Sequence, residues 1–169
     1  MKWGLVPHWA KEPRVKVSTF NARAETVVTS PAYRTPFRQQ RCLVPANGFF
    51  EWKGTDHGKQ PYFIKLKSRP LFAFAGLFDV WKDAEGKELK TYTIITTTPN
   101  SVVAPIHDRM PVILYEADES TWLNPNIQAV PRLGALLKPY NETNMTAYRI
   151  RTLVNDPVND RPDVIEPIG

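Results

Sequence analysis

Cys42-Leu43-Val44-Pro45-Ala46-Asn47-Gly48-Phe49-Phe50-Glu51-Trp52-Lys53 is the stretch on which the reading of the whole chain turns. Apolar residues flank Asn47-Gly48, a pair suited to the positive φ angles of a two-residue hairpin. The stretch therefore predicts a strand, a tight turn and a second strand. Glu51 is the exception inside it, a carboxylate held between Phe50 and Trp52. Large aromatics desolvate a carboxylate, favour its neutral form and raise its pKa. Such a group suits general acid or base work near neutrality. Strand alternation also allows a plainer reading, with Glu51 facing outward and both aromatics buried. Titration separates the two: above the ordinary value of about 4.3 for a site, unshifted for an outward Glu.

Outward from this stretch, 169 residues suffice for one domain with a proper core, expected to span 1–169. Sixteen scattered prolines argue against long helices and favour short strands with rigid loops. No apolar run approaches membrane-spanning length and no signal-peptide pattern is evident, so a cytoplasmic (in a bacterium, nucleoid-associated) protein is expected. A single cysteine excludes an internal disulfide and a Cys-rich zinc site. Three histidines far apart give no metal-ligand spacing. The chain is expected to carry no metal and no other cofactor, and to be a monomer.

The net charge is +5, and its distribution says more than its size. Residues 1–41 hold eight basic side chains (Lys2, Lys11, Arg14, Lys16, Arg23, Arg34, Arg38, Arg41) against Glu12 and Glu25. The remainder is nearly balanced. Trp3, Trp9 and Phe20 lie among these cations. Cations interleaved with aromatics suit a single-stranded nucleic acid, with phosphates paired and bases stacked. A solvated basic surface would look the same in sequence.

In chain order, Met1–Pro7 and part of Val15–Ala24 predict strands or strand edges. Ser30-Pro31 has the Ncap–N1 form of a helix start, leading to a short basic helix toward Arg41 that Pro36 distorts. Tyr62–Leu66, Leu71–Leu77 and Tyr92–Thr97 predict strands, separated by turns at Thr55–Lys59 and Lys82–Lys90. Pro99-Asn100-Ser101 predicts a short helix start, and Glu116–Leu123 and Val130–Leu137 predict short helices. Tyr148–Val154 predicts a late strand, and a proline-rich coil follows Asp156. The sum is an α+β domain dominated by antiparallel strands.

Four blocks occur in order: Trp3-Gly4-Leu5-Val6-Pro7, Asn21-Ala22-Arg23-Ala24-Glu25-Thr26, Asn47–Lys53 and Ile106-His107-Asp108-Arg109-Met110-Pro111. Together they closely resemble the SOS response-associated peptidase family, over nearly the whole chain. The resemblance implies a β-rich fold with a barrel-like sheet core and a basic groove for single-stranded DNA. It implies recognition of abasic sites, a thiazolidine crosslink to the abasic aldehyde through an N-terminal cysteine, and self-processing peptidase activity. Residue by residue, Asn21 matches the asparagine that positions the reactive terminus and the opened sugar. Glu51 matches the proton-handling glutamate, and His107 the histidine that helps open the deoxyribose ring. Arg23 and Arg109 match backbone-contacting arginines. Trp3 and Trp9 fall near the aromatic edge of the groove, and Thr96 where a polar side chain reaches a phosphate.

The chain departs from that pattern at its start. Family members carry the reactive cysteine directly after the initiator methionine, in a segment preceding the Trp-Gly block. Here Met1-Lys2 stands immediately before Trp3. The expectation is a chain truncated at its N-terminus, lacking the nucleophile. Cys42 cannot replace it, because an internal residue has no free α-amine. Two other readings stand beside the first: a non-catalytic single-stranded DNA binder, and a thiol peptidase using Cys42. For Cys42 a buried, structural thiol is the expectation. His8 and His57 are expected at the surface, without partners. Asp108 either orients His107 or pairs with Arg109.

Overall fold

A computed structural model describes residues 1–13 and 18–168. Arg14, Lys16 and the first residues of the Val15–Ala24 segment lie outside the described residues. In order come β1 (Lys2–Trp3), β2 (Asn21–Arg23), α1 (Arg34–Gln39), β3 (Arg41–Ala46), β4 (Phe49–Thr55) and β5 (Gly58–Leu66). Then follow β6 (Phe72–Lys82), β7 (Glu88–Thr97), β8 (Met110–Pro111), α2 (Glu116–Leu123), α3 (Val130–Gly134) and β9 (Met145–Arg149). This is the expected α+β class, strand-dominated with few short helices. The strands pair as a six-stranded and a three-stranded sheet, and no closed barrel forms among the described residues. No described helix is long and apolar enough to cross a membrane.

The chain divides into two compact units. The first comprises Met1–Pro45, Ala73–Thr97 and Pro111–Pro139. Its spine is the β6–β7 antiparallel pair, in register from Gly76↔Ile94 to Lys82↔Glu88. The connecting turn needs Gly86 at φ +82°, a region that disfavours any Cβ. On the other edge of β7 lie β1 and β2, end to end and both parallel to it. Lys2 and Trp3 pair with Thr91 and Tyr92, and Asn21 to Arg23 pair with Ile94 to Thr96. Leu5, Leu77, Ile95, Leu114 and Leu133 are buried in one cluster with Phe37 and Trp122. The rings of those last two meet edge to face at 6.0 Å.

Helix α1 begins three residues later than the Ser30-Pro31 motif predicts. Ser30 instead accepts the N–H groups of Tyr33 and Arg34 in a turn that precedes the helix. Pro36 therefore occupies the first helical turn, where an N–H has no intrahelical acceptor, and it does not distort the helix. Helix α2 covers the expected residues, and α3 ends three short of Leu137.

The second unit comprises Ala46–Phe72, Thr98–Met110 and Tyr140–Gly169. Its sheet has the order β4-β5-β9, antiparallel throughout. The expected hairpin across Asn47-Gly48 is not formed: β3 joins the six-stranded sheet and β4 the three-stranded one. Neither Asn47 nor Gly48 has positive φ. Gly48 is required for a different reason, since a Cβ there would sit 2.2 Å from the Phe63 ring and 2.8 Å from the Ile64 carbonyl oxygen. The true hairpin is β4–β5, closed by Asp56-His57 with Gly58 at φ +118°. Residues 101–106 form a turn, not the helix predicted from Pro99. The last strand is Met145–Arg149, earlier than Tyr148–Val154, and residues 152–155 form a 3-10 turn. A further 3-10 turn, Pro162–Ile165, interrupts the expected coil.

Candidate acid–base site

Strand β4 presents Glu51 opposite Tyr62 of β5, which in turn pairs with Arg149 of β9. The Glu51 side chain keeps only 19% of its exposure. The plain outward-facing reading therefore does not hold. Beside it, the Trp52 indole N–H donates to Asn155 Oδ1 at 2.7 Å, which ties the 3-10 turn to the strand.

His107 reaches Glu51 from a turn organised by Asn100. The Asn100 Oδ1 accepts the N–H groups of Val102 and Val103 at 3.2 Å each. Its Nδ2 donates to the Tyr140 carbonyl at 2.8 Å and to Met145 Sδ at 3.0 Å. The His107 N–H then donates to the Val103 carbonyl at 3.0 Å. Sequence reasoning took Asn100 for a helix start; an Asx turn uses the same residue, and its long-range bonds are invisible locally.

The His107 Nδ1 lies 3.6 Å from Glu51 Oε2 and 3.4 Å from Asp108 Oδ1. It is also 3.2 Å from the Arg109 carbonyl oxygen and accepts the Arg109 N–H at 3.1 Å. At 3.6 Å the Glu51–His107 pair is in Coulombic contact without a direct hydrogen bond. Asp108 is thus within ion-pair distance of His107. Burial pushes the Glu51 carboxyl above its ordinary range; the nearby His107 opposes this, Asp108 adds to it, and a bond from the Trp52 N–H opposes it. The direction is the one expected of a site carboxylate. Glu51 and His107 open into a cavity of about 460 Å³, lined also by Trp52, Lys59, Val154 and Asn155. Lys59 carries no motif in sequence and was missed.

Of the remaining candidates Arg109 belongs to the second unit, and the others lie on the first. Asn21 and Arg23 are exposed on β2, and Thr96, half-buried on β7, is the register partner of Arg23. Trp3 and Trp9 are exposed. The Trp3 indole N–H donates to the Phe20 carbonyl at 2.8 Å, and its ring lies against Phe20 and Tyr92. His8 is not partnerless: its Nδ1 is 3.0 Å from Asp79 Oδ2, and Asp79 is almost fully buried. Arg41 does not belong to the basic surface. Its guanidinium is buried and donates to the carbonyls of Phe37, Arg38, Trp122, Asn124 and Ile127.

Cys42 is buried, and burial pushes its thiol up to about 11. A thiol so held is protonated at neutral pH, which removes the peptidase reading built on it. Among the described residues, no group of three or more His, Cys, Asp or Glu could hold a metal ion.

The family model for SOS response associated peptidases (SRAP) matches residues 1–157. The chain belongs to this family. The abasic site processing protein YoqW of Bacillus subtilis is 48% identical over 167 residues, covering 98% of this chain and 75% of that protein. The abasic site processing protein HMCES of Gallus gallus is 37% identical over 193 residues, 99% of this chain and 56% of that one. A crystal structure of a Bacteroides thetaiotaomicron protein superposes with a TM-score of 0.91 at 38% identity, covering 98% of this chain and 75% of the other. The family shared with these proteins is the one that the four ordered blocks indicate.

Proposed function

We propose that this chain binds single-stranded DNA at abasic sites and that Glu51 and His107 move the protons that unmask the sugar aldehyde. An abasic deoxyribose rests mostly as a closed hemiacetal. Opening it transfers the anomeric hydroxyl proton to a base while the ring oxygen gains a proton from an acid. The products are an aldehyde and a free 4′-hydroxyl, with no proton gained or lost overall. A carboxyl and an imidazole that share a cavity can supply the two roles. The observation that carries the reading is the 3.6 Å approach of Glu51 to His107, with the carboxyl raised by burial. Family membership and the names of the relatives supply the substrate class.

Asn21 is the group for the opened sugar, and Arg23, Arg109 and Thr96 are the backbone contacts. Trp3 and Trp9 offer faces for unpaired bases. No covalent step is assigned to Cys42. The test is fluorescence anisotropy with two oligonucleotides differing only in one abasic site, followed by an alkoxyamine probe for aldehyde on the bound DNA. The wild type is expected to prefer the abasic strand by about tenfold, equivalent to about 1.4 kcal/mol. Glu51→Gln is expected to slow aldehyde unmasking while leaving binding intact. Equal affinity for both strands would overturn the reading in favour of a plain single-strand binder.

A further inference from the structure

Beyond the Glu51–His107 cavity the same sheet carries a second one, of about 520 Å³, with no carboxylate in its lining. Lys53, His57, Lys59 and Arg149 surround it, with Tyr62 and Thr55 among the polar groups. The register explains why Lys53 and Arg149 stand together, whereas Lys59, opposite Gly54, leaves the strand from the other face and lines the cavity by the reach of its side chain. Glu51, Tyr62 and Arg149 form one cross-strand line, and Lys53 pairs with Gln60 on the next line. Side chains two apart on a strand share a face, so Lys53 and Arg149 stand on the same face as Glu51.

The two cavities share Lys59 as a lining residue. Lys59 pairs with Gly54, where an added Cβ would meet nothing within 4 Å. No side chain therefore stands across from Lys59 on its own face of the hairpin. Arg149 Nη2 donates to Gln60 Oε1 at 3.4 Å, and Gln60 is itself fixed by its Nε2 donating to the Ile150 carbonyl at 2.9 Å. Apart from Glu51, the only acid on this hairpin is Asp56, at its turn. Three permanent cations grouped without a lining carboxylate, beside an acid–base site, fit a polyanion and repel a cationic ligand.

We propose that the Lys53–Lys59–Arg149 cavity is a phosphate subsite for the sugar–phosphate backbone that flanks the reacting nucleotide. The inference rests on the function proposed above and adds a place for the neighbouring strand. Lys59, common to both cavities, holds the phosphate next to the lesion, and Lys53 and Arg149 hold the one beyond it. Such contacts fix the position of the strand and carry no base information.

The experiment measures affinity of the wild type and Lys53→Ala/Arg149→Ala for the intact and the abasic oligonucleotide across a salt series. Each lost phosphate contact on a single strand lowers the steepness of log affinity against log salt by about 0.7, so the double variant is expected to lose about 1.4. Both oligonucleotides are expected to weaken by the same factor, leaving the preference for the abasic strand unchanged. Lys53→Arg/Arg149→Lys, which keeps both charges, is expected to restore the wild-type slope. Thermal melts of each variant establish that it is folded. A folded double variant with the wild-type slope overturns the subsite, even where the wild type prefers the abasic strand. A wild type without that preference overturns the function proposed above, while a reduced slope in the variant still supports the subsite. A wild type that binds neither strand overturns both.

Discussion

Asp79 accepts both the backbone N–H and the imidazole Nδ1 of His8, at 2.9 and 3.0 Å, from across 71 positions of sequence. The same carboxylate accepts the N–H of Val80 at 2.8 Å, and two residues further on the Trp81 indole donates to the Ala10 carbonyl at 2.7 Å. These bonds pin the segment that displays Trp9. Asp79→Ala strands two half-buried backbone N–H groups, those of His8 and Val80, a loss of about 1–3 kcal/mol each where water cannot reach them. Amide exchange at His8 and Ala10 is expected to accelerate more than at core β7 positions. Uniform acceleration across the sheet would mean that Asp79 supports the whole fold and not this loop.

Glu51 makes stability depend on pH with a definite sign. Its folded-state pKa is raised above 4.5, so the folded protein holds the proton more tightly than the unfolded chain. Stability from this group is full below that value and falls as pH rises through the folded pKa. Glu51→Gln removes the dependence. The variant is expected to gain melting temperature relative to wild type at pH 8 and to gain less at pH 4. An equal difference at both pH values would contradict a raised carboxyl.

Gly48 and Gly54 lie on the same sheet edge and predict opposite outcomes. Gly48→Ala drives a methyl group into the Phe63 ring and the Ile64 carbonyl, an overpacking worth about 1–3 kcal/mol of lost stability. Gly54→Ala meets no atom within 4 Å and is expected to be neutral or mildly stabilising. Denaturant midpoints of the two variants check the contrast.

Arg41→Leu leaves buried carbonyls of α1, α2 and the segment after α2 without their donor. The expected loss exceeds about 3 kcal/mol, because several acceptors are orphaned together. Urea denaturation measures it. At temperatures where the variant stays folded, the salt dependence of DNA binding is expected to match wild type, since this cation faces no solvent.

Cys42 is expected to react with a thiol reagent only as the protein unfolds. Its thiol is held at about 11 and its sulfur would lie 2.8 Å from a Cβ at Gly76. Labelling in native buffer at neutral pH at the rate of a free thiol would show that the strand opens locally.

Periodicity and punctuation found β5, β6, β7 and α2, because each of these is decided by its own residues. Glu51 stood out locally as a carboxylate among aromatics, whereas His107 was singled out by the block it shares with the family. Partner choice was not. Asn47-Gly48 has the form of a hairpin turn, yet β4 leaves β3 for β5, where Phe50 meets the Phe63 ring at 5.3 Å. Tertiary packing outweighed the turn chemistry, and Gly48 was selected by steric approach. Arg41 was counted as surface charge because nothing near it in sequence announces the three carbonyls, at Trp122, Asn124 and Ile127, that it reaches from more than eighty residues away. Lys59 escaped notice because a lysine in a polar turn is ordinary until a cavity wall is seen on either side of it.

The parallel docking of β1 and β2 on β7 orders the assembly of the protein in time. Trp3 has its partner at Tyr92, and Arg23 at Thr96, so during synthesis these strands wait for 89 and 73 residues before they have an edge to join. The β6–β7 hairpin, with close-range pairing, can form first and offer that edge. Asn21, Arg23 and Trp3 thus reach their places only after β7 has been made. A nascent chain interrupted before residue 92 holds Trp3 without Tyr92 and without the β7 edge, which makes that interval the one in which the protein is most open to mispairing.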